Sequence, residues 1–403
     1  MPFSFDRLRR WPDLEAPNLF AFDASDRLIL DEAAEALEGV PGSEIVVAGD
    51  RYGALTLGVA ANYAVTGIRS QQDRLTGELA LANNAHDAGL DATYRSVPLG
   101  AELLGGARVV LLQLPRSLAE LDEIADAVAR FAAPDVTVFA GGRIKYLTPA
   151  MNDVLARYFS QVSATKARQK SRVLVASGAR PVTDARPYPT RETHAELGLT
   201  VAAYPGAFAG TSLDVGTRYL LRFLDRVSPD ARVAIDLGCG TGIIAAALAR
   251  ARRDIEVVAT DQSQAAVDSA RATMELNGLA DRVTVVRDDG LGARAGASAD
   301  VVVCNPPFHV GSTVHTGVAL ALFRDAARVL SPGGQLFTVF NSHLAYQADL
   351  RRLVGPTTVL GQNAKFTVTV STKARSTTAR STMPTAERHQ ARGAGDTEPA
   401  DTL

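Results

Sequence analysis

The hexapeptide CNPPFH follows the apolar run ADVVV, so a predicted buried strand ends on an amide, two prolines and an aromatic ring. The side-chain oxygen of Asn305 can accept a hydrogen bond from an amine. Pro306 and Pro307 fix φ and lack N–H donors, which leaves the carbonyls of this corner as further acceptors. The ring of Phe308 offers a surface on which a planar group can stack. These four residues are our candidate catalytic residues, and the group they could bind is a planar one that carries an amine.

A second motif, DLGCGTG (236–242), lies between a strand pattern and a helix pattern. Its glycines allow a tight turn and a close approach of ligand to backbone, and the N–H groups at the helix start favour an anionic or carboxylate-bearing ligand. An aspartate ends the next strand, where a ribose-binding carboxylate lies in nucleoside sites. The pattern predicts a nucleoside cofactor, and its candidate ligands are Asp236, Gly238, Gly240, Gly242 and Asp261.

The elements that position these motifs are short Val- and Ile-rich runs separated by amphipathic helical stretches. Continuous apolar runs indicate strands buried on both faces, and hence a mostly parallel sheet covered by helices. Repeated strand–helix–strand units predict a doubly wound α/β fold. The predicted strands are 44–49, 107–114, 135–142, 232–238, 255–261, 282–288, 299–305 and 334–341.

The strand–turn–helix pattern occurs twice along the chain. EIVVAGDRYGALTLGVAAN in the first half corresponds to RVAIDLGCGTGIIAAALAR in the second, and VVLLQLPRS corresponds to VVVCNPPFH. Similar elements at similar spacing indicate an internal duplication. We expect domains at 1–185 and 186–374, separated by a Pro-containing linker. A Ser/Thr/Arg-rich tail at 375–403 has too few large apolar side chains to fold and is predicted to be disordered.

Composition places the chain among ordinary globular proteins, with 403 residues, 46% hydrophobic and 21% charged. A net charge of −2 gives no global basic field, so a nucleic-acid partner would need a local basic patch. Cys239 and Cys304 are too few for a disulfide framework, and no cluster with metal-ligand spacing is present. Without a long apolar run or a signal-like N-terminal segment, we expect a cytoplasmic protein with neither metal nor membrane contact.

The order of these motifs resembles that of S-adenosylmethionine-dependent methyltransferases with a Rossmann-like fold. By this resemblance the glycine loop lies beside the methionyl part of the cofactor, and Asp261 binds both ribose hydroxyls. Asp289 of RDDGL would bind the adenine amine, with Asp288 as the alternative. The Asn-Pro-Pro-aromatic motif resembles that of the amino-methyltransferases, in which the position of Asn305 lies beside both cofactor and target amine.

Four segments resemble the ribosomal RNA guanine-N2 methyltransferases: NPPFH, FAGTSLDVGTRYLL (208–221), NSHLAYQADLRRLVG (341–355) and NAKFTVTVSTK (363–373). Two segments of the first half, LRRWPDLEAPNLFAFDASDRLIL and DRYGALTLGVAAN, look closest to the large-subunit branch of that family. The resemblance implies two tandem Rossmann-like methyltransferase domains, of which the N-terminal one is degenerate. It implies methyl transfer to a guanine of ribosomal RNA, free or in a ribosomal subunit, with Phe308, His309 and Asn341 as substrate contacts.

The first half departs from a working site, because AGDRYGAL lacks two of the three glycines and QLPRS replaces NPPFH. We therefore expect no catalysis there, only packing or positioning of RNA. The same chemistry on a small-subunit guanine, an adenine N6 or a protein glutamine remains an alternative. A noncatalytic RNA-binding assembly factor is a further alternative, against which the intact motifs of the second half argue.

Overall fold

The predicted strands lie in two sheets in the computed structural model of this chain, which describes residues 3–307 and 316–375. Phe308 and His309 lie outside the described residues. So does the tail predicted to be disordered, apart from Arg375 at its start.

The first half forms a seven-stranded sheet under six α-helices. Its strands are β1 (Ile45–Ala48), β2 (Ile68–Gln71), β3 (Tyr94–Ser96), β4 (Val109–Gln113), β5 (Thr137–Arg143), β6 (Phe159–Ala164) and β7 (Ser171–Ala179). Its helices are α1 (Ala24–Leu37), α2 (Ala54–Tyr63), α3 (Leu75–Ala88), α4 (Ala101–Leu104), α5 (Leu118–Phe131) and α6 (Pro149–Tyr158). The spatial order is β3-β2-β1-β4-β5-β7-β6, with parallel pairing from β3 to β5 and antiparallel pairing from β5 to β6.

The second half repeats this architecture after a small hairpin of β8 (Thr190–His194) and β9 (Leu199–Ala203). Its strands are β10 (Val233–Leu237), β11 (Glu256–Asp261), β12 (Val283–Arg287), β13 (Ala299–Cys304), β14 (Leu330–Asn341), β15 (Thr357–Gln362) and β16 (Phe366–Thr372). Its helices are α7 (Val215–Leu221), α8 (Ile243–Ala251), α9 (Gln264–Leu276), α10 (Thr316–Val329) and α11 (Gln347–Leu353). The order β12-β11-β10-β13-β14-β16-β15 matches the first sheet strand for strand, so the predicted tandem, mostly parallel α/β architecture is confirmed.

The central strands of the second sheet are buried on both faces, as their continuous apolar runs predict. Along β13, Val301 and Val303 pack into the core that contains α8 and α9, whereas Val302 and Cys304 face the core that contains α10 and α11. Burying a Val or Phe side chain stabilises a fold by about 1.5–3 kcal/mol relative to exposing it. The two cores therefore fix the register of the strands whose ends carry the polar motifs.

One boundary differs from the prediction. The strand predicted at 334–341 begins four residues earlier, at Leu330, so the segment SPGG lies within β14. The pairing with β13 is irregular here, because Ala299 pairs with Leu330 while Val301 pairs with Gln335. The Gly333 N–H donates to the carbonyl of Lys373, the residue after β16, so a glycine-rich bulge stays attached to the edge of the sheet rather than forming a free loop.

Within the described ranges, no helix is long and apolar enough to cross a membrane. In the same residues, no group of three or more His, Cys, Asp or Glu side chains is placed to bind a metal ion.

Candidate functional site

The two sequence motifs meet at the switch point of the second sheet. Strands β10 and β13 are parallel neighbours, with Leu237 paired with Cys304, and the chain leaves them toward opposite halves of the sheet. The glycine loop follows Leu237 and Asn305 follows Cys304, so both begin at the carboxyl edge of the sheet. Such a crevice is where ligands bind in doubly wound sheets.

The three glycines of the loop serve two different purposes. All three have positive φ, at +74° for Gly238, +53° for Gly240 and +81° for Gly242. A Cβ on Gly238 or Gly240 would meet nothing within 4 Å, so both border open space. A Cβ on Gly242 would come within 2.8 Å of Met274 Cε and 3.1 Å of Ala270 Cβ. Gly242 is thus needed for packing of the loop on α9, and the other two leave room for a ligand.

Asp261, the last residue of β11, is held against this loop. Its Oδ2 accepts a hydrogen bond from the Gly240 N–H at 3.0 Å, and its Oδ1 accepts one from the Ser263 N–H at 3.0 Å. Burial raises the pKa of the carboxyl, and the two backbone donors oppose that rise. The carboxylate is therefore fixed at the crevice with lone pairs left for two hydroxyl donors.

Asp236 lies beneath the loop and is fully buried. Its Oδ2 accepts a hydrogen bond from the Ala245 N–H at 2.9 Å, which ties the end of β10 to the first turn of α8. Its Oδ1 has no hydrogen-bond partner among the described residues. Burial raises the pKa of this carboxyl to about 7. The structure shows Asp236 as a support of the loop, and its contact with a cofactor stays a prediction.

The two candidate adenine-binding carboxylates differ in what they contact. Asp288 is buried, and its Oδ2 accepts a hydrogen bond from the Ala293 N–H at 3.1 Å. The Asp289 carboxylate accepts no hydrogen bond from any residue that the structure describes. Burial raises the pKa of Asp289. The geometry favours Asp289 over Asp288 as the residue open to a ligand.

Asn305 has its amide orientation fixed by its neighbours. Its Nδ2 donates to Asp214 Oδ2 at 3.0 Å and to Thr217 Oγ1 at 3.0 Å. A carboxylate only accepts hydrogen bonds, so the NH2 group must face Asp214. The Oδ1 atom then points away, and it is buried without a partner among the described residues. An unsatisfied buried acceptor costs about 1–3 kcal/mol, so this atom favours a ligand that donates an N–H.

Asn341 ends β14, the strand next to β13, and its Oδ1 is also buried without a partner in the described part of the chain. Pro306 is buried and Pro307 is exposed. Two amide acceptors thus follow neighbouring strands at one edge of the sheet.

Asp214 and Thr217 were missed by the sequence reasoning as functional residues. Asp214 is the N-cap of α7, and its Oδ2 accepts the Thr217 N–H at 2.9 Å. An Asp directly before a helical stretch is a readable capping signal. Its contact with Asn305, 91 positions away, depends on tertiary packing and leaves no such signal.

The first half has the same corner without the same chemistry. Gln113, the last residue of β4, corresponds to Asn305, which directly follows β13, and the Gln113 amide nitrogen donates to the buried carboxylate of Asp26. Gln72 follows β2 as Asp261 ends β11, and both of its amide atoms are buried without partners in the described residues. Tyr52 of the corresponding loop is 8% exposed and lies under the Arg10 guanidinium. Side chains of the first half thus occupy the carboxyl edge of its sheet, at the positions that correspond to Asn305, Asp261 and the glycine loop. This arrangement agrees with the prediction that the first domain is degenerate.

Comparison with known proteins identifies both halves. The RLMG N-terminal domain matches residues 1–180, and the Methyltransferase small domain matches residues 198–370. The chain is 37% identical over 370 residues to the ribosomal RNA large subunit methyltransferase G of Pseudomonas paraeruginosa, covering 91% of this chain and 97% of that protein. It is 34% identical to the protein of the same name from Ectopseudomonas mendocina, covering 92% and 98%.

The chain belongs to the ribosomal RNA large subunit methyltransferase G family. A solved structure supports the fold: a 16S rRNA N2 methyltransferase of T. thermophilus, in complex with AdoMet and guanosine, matches with a TM-score of 0.69 and 24% identity. That match covers 89% of this chain and 97% of the other. As a family member, the chain is a methyltransferase whose cofactor is S-adenosylmethionine.

The residues present fit this cofactor. Open space beside Gly238 and Gly240 admits a ligand against the loop backbone, and the carboxylate of Asp261 is held with free acceptor positions. Asp289 is half-buried, and its carboxylate accepts no hydrogen bond from the described residues. The carboxylate is therefore available to accept an N–H from an adenine amine. Bound here, S-adenosylmethionine would supply an electrophilic methyl group on a positively charged sulfur.

The two roles assigned to the glycines, ligand space at Gly240 and packing at Gly242, can be tested by a pair of substitutions. Each alanine would bear the cost of left-handed backbone, about 1–2 kcal/mol of folding free energy. Gly240→Ala should fold but place its Cβ in the ligand space, and so should weaken S-adenosylmethionine binding at least about tenfold in calorimetric titration. Gly242→Ala should lose a further ~1–3 kcal/mol in denaturant unfolding, because its Cβ overpacks Met274. Unchanged cofactor affinity in Gly240→Ala would contradict this assignment.

Proposed function

We propose that this chain transfers a methyl group from S-adenosylmethionine to the exocyclic N2 amine of a guanine in large-subunit ribosomal RNA. The observation that carries the proposal is the Asn305 amide, whose NH2 is held by Asp214 so that Oδ1 is left as an unpartnered acceptor beside the glycine loop. The curated relatives are named for the large ribosomal subunit. The NPPFH segment resembles the guanine-N2 enzymes.

An amine on an aromatic base is a weak nucleophile, because its lone pair is delocalised into the ring. The Asn305 oxygen would accept one N–H of that amine, and a carbonyl of the Pro306 corner would accept the other. Both contacts favour a pyramidal nitrogen whose lone pair is directed at the methyl donor. Such fixed acceptors act by position and electrostatics. Phe308 and His309 would flank the base, with Asn341 at the edge of the site.

We assign catalysis to the second domain, residues 186–374, and no catalysis to the first, residues 1–185. The filled corner around Gln113 and Gln72 supports this division. Among the basic residues of TKARQKSR (165–172), whose charges suit RNA phosphates, Arg168 pairs with Glu32 at 2.9 Å and with Asp31 at 3.4 Å. The charge of Arg168 is therefore offset within the first domain.

The partner that follows is ribosomal RNA, free or in a ribosomal subunit, in the cytoplasm. The target guanine must be unpaired or flipped out of its helix to enter the crevice. We expect no metal to take part, because acceptor positions and a fixed cofactor are sufficient for amine methylation.

Mass-spectrometric mapping of methylated guanines in cells with and without the gene tests the substrate. Loss of one N2-methylguanine from large-subunit RNA is expected, with restoration by the wild-type gene. Loss of the mark from small-subunit RNA, from an adenine or from a protein glutamine would instead assign that alternative target. Unchanged modification everywhere would contradict the proposal.

The role of Asn305 is tested by Asn305→Ala. Loss of a preorganised hydrogen bond at the reacting group should lower kcat about 10²–10³-fold. Calorimetric affinity for S-adenosylmethionine should stay close to that of the wild type, since the nucleoside contacts are elsewhere. A variant with normal turnover would show that Asn305 does not bind the amine.

Asp214 is expected to act as a positioning residue, and the duplication supplies a matched control. Asp23 caps α1 as Asp214 caps α7, so Asp23→Ala and Asp214→Ala should each cost about 1 kcal/mol of stability. Only Asp214→Ala should also lower kcat, by about tenfold or more, because the Asn305 amide is freed to rotate. KM for S-adenosylmethionine should change little in either variant. Equal kcat in the two variants would show that Asp214 acts only as a helix cap and does not position Asn305.

A further inference from the structure

The two halves of the chain meet where the second strand of each sheet ends. After β2, the Asp73 carbonyl accepts the Gln264 N–H at 2.8 Å. After β11, the Gln262 carbonyl accepts the Leu75 N–H at 2.9 Å. This reciprocal pair places the start of α3 against the start of α9, with pseudo-two-fold symmetry. The contact therefore lies directly beside Asp261, the predicted ribose ligand.

The side chains at this contact are not symmetric. Asp73 Oδ1 accepts the Ser263 hydroxyl at 3.0 Å and the Ala265 N–H at 2.9 Å. A carboxylate of the first half thus satisfies a backbone donor at the N-terminus of a helix in the second half, where negative charge is favourable. The side chain of the corresponding residue of the second half, Gln262, accepts the Thr76 hydroxyl at 2.9 Å and no backbone N–H among the described residues.

Ser263 connects this contact to the cofactor site. Its hydroxyl donates to Asp73, while its backbone N–H donates to Asp261 Oδ1 at 3.0 Å. The same hydroxyl accepts the Ala266 N–H at 3.2 Å, as the N-cap of α9. The position of Asp73 thus fixes a residue that in turn fixes the Asp261 carboxylate.

A second connection reaches the adenine side. Arg287 ends β12, directly before Asp288 and Asp289, and its Nη2 donates to the Asp73 carbonyl at 2.9 Å. It also forms an ion pair of 2.8 Å with Glu78, in which the side chains are 17% and 23% exposed. Each of the two carboxylates predicted to bind the nucleoside, Asp261 and Asp289, is therefore connected to the first half through a residue two positions away in sequence.

We propose that Asp73 is a positioning residue for the cofactor: through Ser263 and the start of α9 it sets the Asp261 carboxylate for the ribose, and so couples the first domain to cofactor affinity. This inference deepens the proposed function and rests on its placement of the ribose at Asp261. The first half then has a role in the reaction although its own corner is filled.

Two effects of Asp73 on Asp261 oppose each other. Its negative charge raises the pKa of Asp261, which disfavours the ionised carboxylate, whereas the Ser263 N–H that it helps to place lowers that pKa. Removing the side chain should weaken cofactor binding, because Ser263 and the first turn of α9 lose the acceptor that holds them. Removing only its charge should not.

The test is calorimetric titration of the full chain with S-adenosylmethionine. Couplings between sites change affinity by roughly 5- to 150-fold, and we expect Asp73→Ala to raise Kd about tenfold, with kcat at saturating cofactor nearly unchanged. Asp73→Asn keeps an amide oxygen for Ser263 and Ala265 and should bind as tightly as the wild type, within about threefold. Thr76→Val removes an interdomain hydrogen bond that does not touch Ser263, and it should leave Kd unchanged.

Wild-type affinity in Asp73→Ala would overturn the proposal. An equal loss in Thr76→Val would also overturn it, by showing that any damage to the domain contact weakens binding. If Asp73→Ala fails to fold, backbone amide hydrogen exchange is measured in the wild type instead. Saturation with S-adenosylmethionine should slow exchange in residues 72–78. Unchanged exchange there would refute the coupling. These measurements use only the protein and S-adenosylmethionine. Their outcome is therefore independent of whether the protein methylates a guanine of ribosomal RNA.

Discussion

The hydrogen bond from the Asn305 amide to the Asp214 carboxylate is the constraint on which the proposed chemistry of this protein depends. Because the carboxylate cannot donate, it determines which end of the amide faces the crevice. That end is a buried oxygen without a partner in the described residues, which suits the N–H of an amine and disfavours a target with only acceptors. The parallel pairing of β10 with β13 brings this oxygen beside the glycine loop. The position of Asp214 at the start of α7 and the strand order of the sheet thus both place the Asn305 oxygen for its proposed contact with the target amine.

Comparison of the two halves shows that a small change at the end of the fourth strand removes the unpartnered amide oxygen. Both sheets have the same strand order, and both place an amide residue at the carboxyl end of the fourth strand. In the first half the longer Gln113 donates to Asp26, whose buried carboxyl has its pKa raised to about 6. The architecture is retained there because the Val- and Leu-rich strands still need two covered faces. What the first half supplies instead is an edge against which α9 and β12 of the second half are held.

The sequence predicts those features that local patterns encode. Continuous apolar runs predicted the central strands, and glycines before an apolar helix predicted the loop, because burial and backbone strain act within a few residues. The acceptor at Asn305 and the carboxylate at Asp261 followed from their places at strand ends. Asp214 and Asp73 could not be predicted as site residues, since their partners are distant in sequence and their local pattern is that of ordinary polar residues before a helix. The choice between Asp288 and Asp289 needed the Ala293 contact, and the bulge at SPGG needed the pairing with β16.

In the proposed reaction an amide oxygen binds an exocyclic amine, and that amine then receives the methyl group. The most direct test replaces the mapped target guanine by inosine, which differs only in lacking that amine, in an otherwise unmodified ribosomal RNA substrate. Methyl transfer from S-adenosylmethionine is then measured with the purified full chain on both substrates. We expect transfer to the guanine-containing RNA and none to the inosine-containing RNA. Comparable transfer to both would contradict the proposal, because it would show that the amine is not the target.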